Sequence, residues 1–363
     1  MTVHGGDVWQ VAEDMAIPVS ELLDFSASIN PHGLPPCARR RLALDASDVL
    51  LLSHYPDPSA RRLRGALSDQ LGVPRNCIAV GEGAEALLGA AVRAVRARRC
   101  LAPVPAFSEY RRICASAGVD FDPFPLDPAA EFRLPVDRFC RHLKDGRPDI
   151  VILNNPHNPS GALLKANEAR QIVDAAESVG ATLLLDEAFI DYAPHATLTS
   201  DAPHRPTLII VRSLTKFYGC PALRVGYAIG CPGIAQRVGA SLPTWPVTQL
   251  ALDALTEAVA DHGYAEEARR ENEAERERLG AAMRQFGMFV FPSAANFLFV
   301  RLGPGMPSAA ELRVRLLWEH RILIRNCDSY ESLAAGRYVR VAVRSAEENC
   351  RLLDALGQTL KLK

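Results

Sequence analysis

The chain has almost no net charge, no paired cysteine motif and no long apolar run, and each absence removes a class of function. Forty-one Lys plus Arg stand against 42 Asp plus Glu, a formal charge of −1, so no global field draws the protein to nucleic acid or an anionic membrane surface. Any anionic ligand must be caught by a local cluster of donors. The nine cysteines, scattered from Cys37 to Cys350 without a C-x-x-C pair, fit neither a disulfide framework nor a zinc site, so no metal is expected and a reducing cytoplasm suits them. Residues 1–14 contain acids and no apolar h-region, and no stretch of about 18 apolar residues follows, which argues against secretion and membrane spanning. No internal repeat is visible either.

What is there is an ordinary globular composition: 363 residues, 48% apolar and 23% charged, long enough for two domains. Residues 24–58 are turn-rich, with Asn30-Pro31, Gly33, Pro35-Pro36 and Tyr55-Pro56-Asp57-Pro58, and read as a loop-bearing arm. Beyond them, apolar runs at 76–80, 149–153, 182–185 and 207–211 read as buried strands, with a further strand at 100–105. Helical faces lie on Leu87, Leu88, Ala91, Val92 and Val95, and on Ile172, Val173, Ala176 and Val179, so the pattern predicts a doubly wound α/β domain. The charged stretch 263–284 reads as a solvated connecting helix. Strands near 289–291, 297–302, 322–325 and 338–343, with helices near 308–319 and 346–361, predict a second, smaller α/β unit. The expected organisation is an arm with part of the small domain at 1–50, a large domain at 51–262, and a connecting helix plus small domain at 263–363.

Three polar residues stand where strands run out: Asn158, Asp186 and Lys216, spaced 28 and 30 residues apart. A strand, a crossover and the next strand take about 30 residues, so successive strands can carry all three to one sheet edge, where open α/β sheets bind ligands. A lysine amine forms a Schiff base with an aldehyde cofactor, and a carboxylate at a pyridine nitrogen keeps that nitrogen protonated. The trio therefore points to pyridoxal phosphate. A phosphate cradle is at hand in Gly81-Glu82-Gly83-Ala84-Glu85, where a strand opens into a helix, with hydroxyls from Ser213 and Thr215 and a cation from Arg224. Two rival readings use the same residues. Gly81, Gly83 and Ala86 satisfy the dinucleotide fingerprint G-x-G-x-x-A, but the next strand supplies no acid for a ribose. Ser213 to Lys216 matches S-x-x-K of acyl-serine hydrolases, yet neither K-T-G nor S-D-N follows.

The chain resembles the fold-type I pyridoxal-phosphate enzymes, which have an aspartate aminotransferase-like fold. The resemblance rests on Tyr55-Pro56-Asp57, Gly81 to Glu85, Pro105-Ala106-Phe107, Asn155 to Gly161, Asp186 to Phe189, Ser213 to Lys216, Arg224 and Arg340. It implies that Lys216 carries the cofactor as a Schiff base, Asp186 pairs with the pyridine nitrogen, Asn158 bonds the ring's phenolic oxygen and Phe107 stacks on the ring. It also implies a homodimer with shared active sites, in which Tyr55 reaches the neighbouring subunit's cofactor phosphate. Within that superfamily the chain is similar to both the histidinol-phosphate aminotransferases and the L-threonine-O-3-phosphate decarboxylases of cobalamin biosynthesis. His4-Gly5-Gly6, Leu23 to Ala27, Pro105 to Tyr110, Asp186 to Asp191, Arg212 to Tyr218 and Arg340 to Arg344 resemble the decarboxylases. Aminotransferases of this class usually have a Tyr at the position of Phe189, whose hydroxyl a Phe cannot replace. Ser28, where the family commonly has Asn, Pro246 and the segment 326–330 are departures from its pattern.

A phosphorylated amino acid brings a carboxylate and a phosphate, so two anion receptors are needed beyond the cofactor's own. By resemblance Arg340 forks onto the carboxylate. Arg325, closing the strand 322–324, is the candidate for the substrate phosphate, with His4, Ser28 and Asn30 beside it. Arg344 lies four residues beyond Arg340, so in a strand both face the same side, and it is a further candidate for the same substrate pocket. The expected reaction is decarboxylation of L-threonine O-3-phosphate to (R)-1-amino-2-propanol O-2-phosphate, with aminotransfer as the alternative.

Overall fold

The computed structural model describes residues 5–360. Its strands are β1 (Leu23–Asp24), β2 (Ile78–Gly81), β3 (Arg99–Val104), β4 (Asp120–Pro125), β5 (Ile150–Asn154), β6 (Thr182–Asp186), β7 (Leu208–Ser213), β8 (Gly226–Ile229), β9 (Phe289–Val290), β10 (Phe297–Arg301), β11 (Ile322–Leu323), β12 (Arg325–Asn326) and β13 (Tyr338–Ala342). Seven of them form one sheet in the order β2-β8-β7-β6-β5-β3-β4. All neighbours in it run parallel except β8, which is antiparallel to both β2 and β7. The apolar runs are continuous because both faces are covered. Along the central strands Val151, Leu153, Leu183, Leu185, Leu208 and Ile210 enter one core, while Ile150, Ile152, Leu184, Ile209 and Val211 enter the core on the other face. The first face is covered by helices including Val136–Gly146, Ala166–Glu177 and Gln249–Ala260, the second by Gly83–Val95, Glu109–Ser116 and Pro232–Ala240.

A four-stranded antiparallel sheet, β12-β13-β10-β9, and a parallel pair, β1-β11, make up the rest. They share a separate core in which Leu23 and Phe25 pack with Leu279, Met283, Leu298, Val341 and Leu352. The helix His262–Gln285 touches both cores, through Ala265 and Ala268 at one end and Leu279 and Met283 at the other. A solvated face remains between them, as its charge pattern predicts.

Three local expectations change. The arm is not all loop: Pro35-Pro36 opens a helix, Pro36–Ser47, because proline in the first turn gives up no hydrogen bond. The stretch 322–325 is two strands in different sheets, β11 beside β1 and β12 beside β13. Finally, β13 stops at Ala342, so the alternation that would align Arg344 with Arg340 does not reach it.

Candidate active site

The ladder between β5 and β6 sets Asn154 level with Asp186, and Asp186 faces Val211 of β7 two residues before Ser213. Three strand ends therefore meet at one edge, bordering a cavity of about 240 Å3. The short helix Leu214–Phe217 continues straight out of β7, its first turn capped by Ser213, whose hydroxyl accepts from Thr215 N; that turn brings Lys216 into the cavity wall. Burial holds the Lys216 amine down to about 8, helped by the charges of Arg340 and Arg224 and opposed by Asp186. The Asp186 carboxyl is pushed the other way, up to about 6, chiefly by burial. Tyr110 Oη donates to its Oδ2 at 2.5 Å and Ala188 N to its Oδ1 at 3.0 Å. A buried acid with only these partial compensations is an acceptor suited to a cationic ring nitrogen.

At one end of the cavity the N-terminus of helix Gly83–Val95 meets the Ser213–Thr215 turn and Arg224. Ser213 Oγ and Thr215 Oγ1 lie 2.7 Å apart. Gly83 has φ +73° and an added Cβ would stand 2.9 Å from Arg224 Nη2, so the guanidinium lies directly against the glycine. Gly226, in β8, is equally crowded: a Cβ there would meet Arg212 O at 2.7 Å and Gly83 C at 2.8 Å. This close approach brings backbone N–H groups, two hydroxyls and a cation around one point, a receptor for a phosphate dianion. Phe107 and Ala84 line the same cavity. The Phe107 loop is tied to the 157–161 turn by His157, whose ring bridges Pro105 O at 2.9 Å and Ser160 Oγ at 2.7 Å. Burial keeps that histidine neutral, its value lowered to about 4.

The opposite wall carries two more guanidiniums, from β12 and β13, whose register pairs Arg325 with Arg340. Arg340 Nη1 donates to Asn158 Oδ1 at 2.5 Å, Nη2 to Ser26 O at 3.3 Å, and its cationic carbon lies 4.9 Å from the Phe297 ring centroid. Arg325 Nη2 donates to Ser329 Oγ at 2.9 Å and its cation lies over the Tyr330 ring. Tyr330 Oη donates to Asn158 Oδ1 at 3.0 Å. Oδ1 takes both donors, and among the described residues Asn158 Nδ2 makes no hydrogen bond while its side chain lines the cavity. The acids Glu85 and Glu109 also border it, and both pair with Arg112.

Lys216, Asp186, Ala84, Phe107, Asn158, Ser213, Thr215, Arg224, Ser28, Arg325 and Arg340 all line this one cavity, with Gly83 directly behind it. Ser28 is buried and its hydroxyl has no partner among the described residues. Three expected residues stand elsewhere. Asn30 spends its amide on Phe217 O at 2.8 Å and Tyr264 Oη at 3.0 Å, bracing the loop behind Lys216. Arg344 binds Asp24 O at 3.1 Å and Glu348 at 2.7 Å, a joint between β1 and the last helix. Tyr55 is 78% exposed and stacks on Trp245 at 4.3 Å, outside the cavity of its own chain. His4 lies outside the described residues. Sequence reasoning missed the roles of Tyr110 and Tyr330. The first sits in the quoted Pro105 to Tyr110 motif and the second in the atypical segment 326–330, but only the fold puts their hydroxyls on Asp186 and Asn158. Among the described residues no group of His, Cys, Asp and Glu forms a metal site, and no helix is long and apolar enough to cross a membrane.

The family model for class I and II aminotransferases matches residues 20–356. A threonine-phosphate decarboxylase of Salmonella typhimurium is 35% identical, over 99% of this chain and 97% of its own length. Two solved structures share the fold. One is the histidinol-phosphate aminotransferase of Clostridium acetobutylicum, with a TM-score of 0.85 and 28% identity over 94% of this chain and 99% of that one. The other is the L-threonine-O-3-phosphate decarboxylase of Porphyromonas gingivalis, with a TM-score of 0.78 and 27% identity over 93% of this chain and 99% of that one. With its mixed sheet, strand-end lysine and aspartate, and a match along nearly its whole length, the chain belongs to the class I and II aminotransferase family of fold-type I pyridoxal-phosphate enzymes.

Proposed function

We propose that the protein decarboxylates L-threonine O-3-phosphate to (R)-1-amino-2-propanol O-2-phosphate, a precursor of the cobalamin linker, with pyridoxal phosphate as cofactor and as a cytoplasmic homodimer. The observation that carries this reading is the pair Arg325 and Arg340 on the wall facing Lys216, in addition to Arg224. A cofactor phosphate uses one cation. Two further guanidiniums suit a substrate with an anion at each end, and the threonine-phosphate decarboxylase similarity over the full chain supports the same substrate.

The residues fit the cofactor. Ser213, Thr215, Arg224 and the Gly83-Ala84 backbone would hold its phosphate, Asp186 its ring nitrogen, Asn158 Nδ2 its phenolic oxygen, and Phe107 would cover one face. Bound there, pyridoxal phosphate would supply an electron sink for the bond that breaks at Cα. Arg340 takes the substrate carboxylate and so sets which bond at Cα is held for cleavage. Arg325, with the Ser28 hydroxyl, takes the substrate phosphate. The carboxylate leaves as carbon dioxide and one proton must arrive at Cα. Lys216, whose amine sits near 8, can hold that proton and deliver it near neutral pH. Phe189 packs at 5.1 Å edge-on to Phe297 and offers no hydroxyl to the ring oxygen, a departure from aminotransferases that favours the decarboxylase. The dimer reading draws on the arm, where Leu44, Val49, Leu50, Leu52 and Tyr55 are all exposed, a run of apolar side chains that a partner subunit would cover.

The deciding experiment incubates the holoenzyme with L-threonine O-3-phosphate and no keto acid. Release of carbon dioxide with formation of the amino-propanol phosphate is expected, and little glutamate from histidinol phosphate plus 2-oxoglutarate. The reverse pattern overturns the decarboxylase in favour of the aminotransferase.

A further inference from the structure

Asn158 Oδ1 is the meeting point of two hydrogen bonds, one from a residue that the substrate should engage and one from a residue that it need not touch. Arg340 Nη1 donates at 2.5 Å and Tyr330 Oη at 3.0 Å, with Arg340 Nη1 and Tyr330 Oη 3.4 Å from each other. A carboxylate is a stronger acceptor for a guanidinium than an amide oxygen is. A carboxylate bound at Arg340 competes with Asn158 for the Nη1 donor, so that bond weakens as the guanidinium turns to the ligand. The amide would then be free to turn, and its Nδ2 with it, unless another donor holds Oδ1. Tyr330 is that donor. It is buried, Arg325 lies over its ring at 5.8 Å, and it comes from the loop that follows β12, the strand that carries Arg325 and pairs it with Arg340.

We propose that Tyr330 is a positioning residue: its hydroxyl keeps the Asn158 amide aimed at the cofactor while Arg340 turns from Asn158 to the substrate carboxylate. The inference rests on the roles given above to Asn158 and Arg340 but not on the identity of the substrate. The charged and titratable groups around Tyr330 are Arg325, Arg340, Tyr110 and the buried Cys327 thiol, which burial pushes up to about 12. With that thiol held so high, none of the four changes charge between pH 6 and 9, so a pH titration in that range does not read this cluster.

The test is a double-mutant cycle on the holoenzyme, reading the pH midpoint of its visible absorbance. A donor on the ring oxygen stabilises the deprotonated form and lowers that midpoint, so loss of its alignment raises it. In the wild-type background Tyr330→Phe should move the midpoint by less than about 0.2 units, because Arg340 still holds Asn158. In an Arg340→Met background, where that support is gone, the same substitution should raise it by roughly 0.5–1 unit, the worth of one neutral hydrogen bond. Equal shifts in both backgrounds, or none in either, overturn the proposal. A second readout uses the single variant with the substrate that the enzyme turns over: Tyr330→Phe should lower kcat about three- to tenfold while KM moves less than twofold. A rise in KM that accounts for all of the loss in kcat/KM would make Tyr330 a packing residue of the substrate pocket and also overturn it. If the protein proves to transaminate, the decarboxylase reading fails while the absorbance cycle still decides the role of Tyr330.

Discussion

Gly83→Ala is a small change with a specific expected failure. Two separate costs can be worked from the structure. At φ +73° an alanine occupies the left-handed region, which disfavours any Cβ by about 1–2 kcal/mol; this burdens apo- and holoenzyme alike and should lower Tm by a few degrees. The second cost arises because the new Cβ would stand 2.9 Å from Arg224 Nη2. The far end of an arginine can swing aside, so the clash is relieved by moving the guanidinium off the phosphate cradle. Losing one charge-assisted hydrogen bond removes about 1.5–3 kcal/mol, or roughly ten- to a hundredfold in affinity. Titration of the apoprotein with pyridoxal phosphate, followed by quenching of protein fluorescence, should show Kd raised by that factor. In an Arg224→Ala background the same substitution should lower Tm again but leave Kd within twofold. An unchanged Kd for Gly83→Ala in the otherwise native protein, or an equal loss in both backgrounds, would refute the assignment of Arg224 to the cradle.

The titration of Lys216 makes a second prediction, since only the neutral amine attacks an aldehyde: capture of pyridoxal phosphate by the apoprotein should accelerate as pH rises, with a midpoint near 8. A midpoint near 10.4, the ordinary value for lysine, would mean that burial and the neighbouring arginines do not act on this amine as described. Arg325→Ala and Arg340→Ala should fail differently, each by roughly ten- to a hundredfold. The first should lose the preference for phosphorylated over free threonine. The second should impair both and lower kcat together with kcat/KM, the sign of an interaction needed in the transition state. If Arg325→Ala keeps its preference for the phosphorylated substrate, the phosphate is read elsewhere, and Ser28 is the next position to change.

The residues legible in the sequence are those fixed by local rules. Strand–crossover–strand spacing carries Asn158, Asp186 and Lys216 to one sheet edge, and the glycine-rich turn after β2 opens a helix wherever its partners lie. The strands β4 and β8 escaped for equally physical reasons. Asp120–Pro125 contains two prolines and two acids and survives as a strand because it pairs only with β3 at the sheet margin. Gly226–Ile229 is four residues long and is held by ladders on both sides rather than by its own pattern. Asn30 and Arg344 stand outside the cavity for a reason no local pattern shows, since nothing local tells a polar side chain which of several carbonyls it will find. Each satisfies backbone atoms that only tertiary packing brings near.

Phe189 lies between these two kinds of residue. That it lacks a hydroxyl is plain from the sequence, and the absence alone removes one bond to the ring oxygen. What takes the place of that bond is a matter of packing. Phe189 meets Phe297 edge-on at 5.1 Å, and the Arg340 guanidinium lies 4.9 Å from the same Phe297 ring. The proposed carboxylate receptor thus rests on an apolar ledge, where water competes poorly for its donors and a charge pair is worth more than it would be in solvent. A hydroxyl at position 189 would wet that ledge as well as reach for the ring. On the proposed roles of Arg340 and the cofactor, the single missing oxygen would act on both halves of the chemistry, removing one bond to the ring and leaving dry the surroundings of the group that would orient the departing carboxylate.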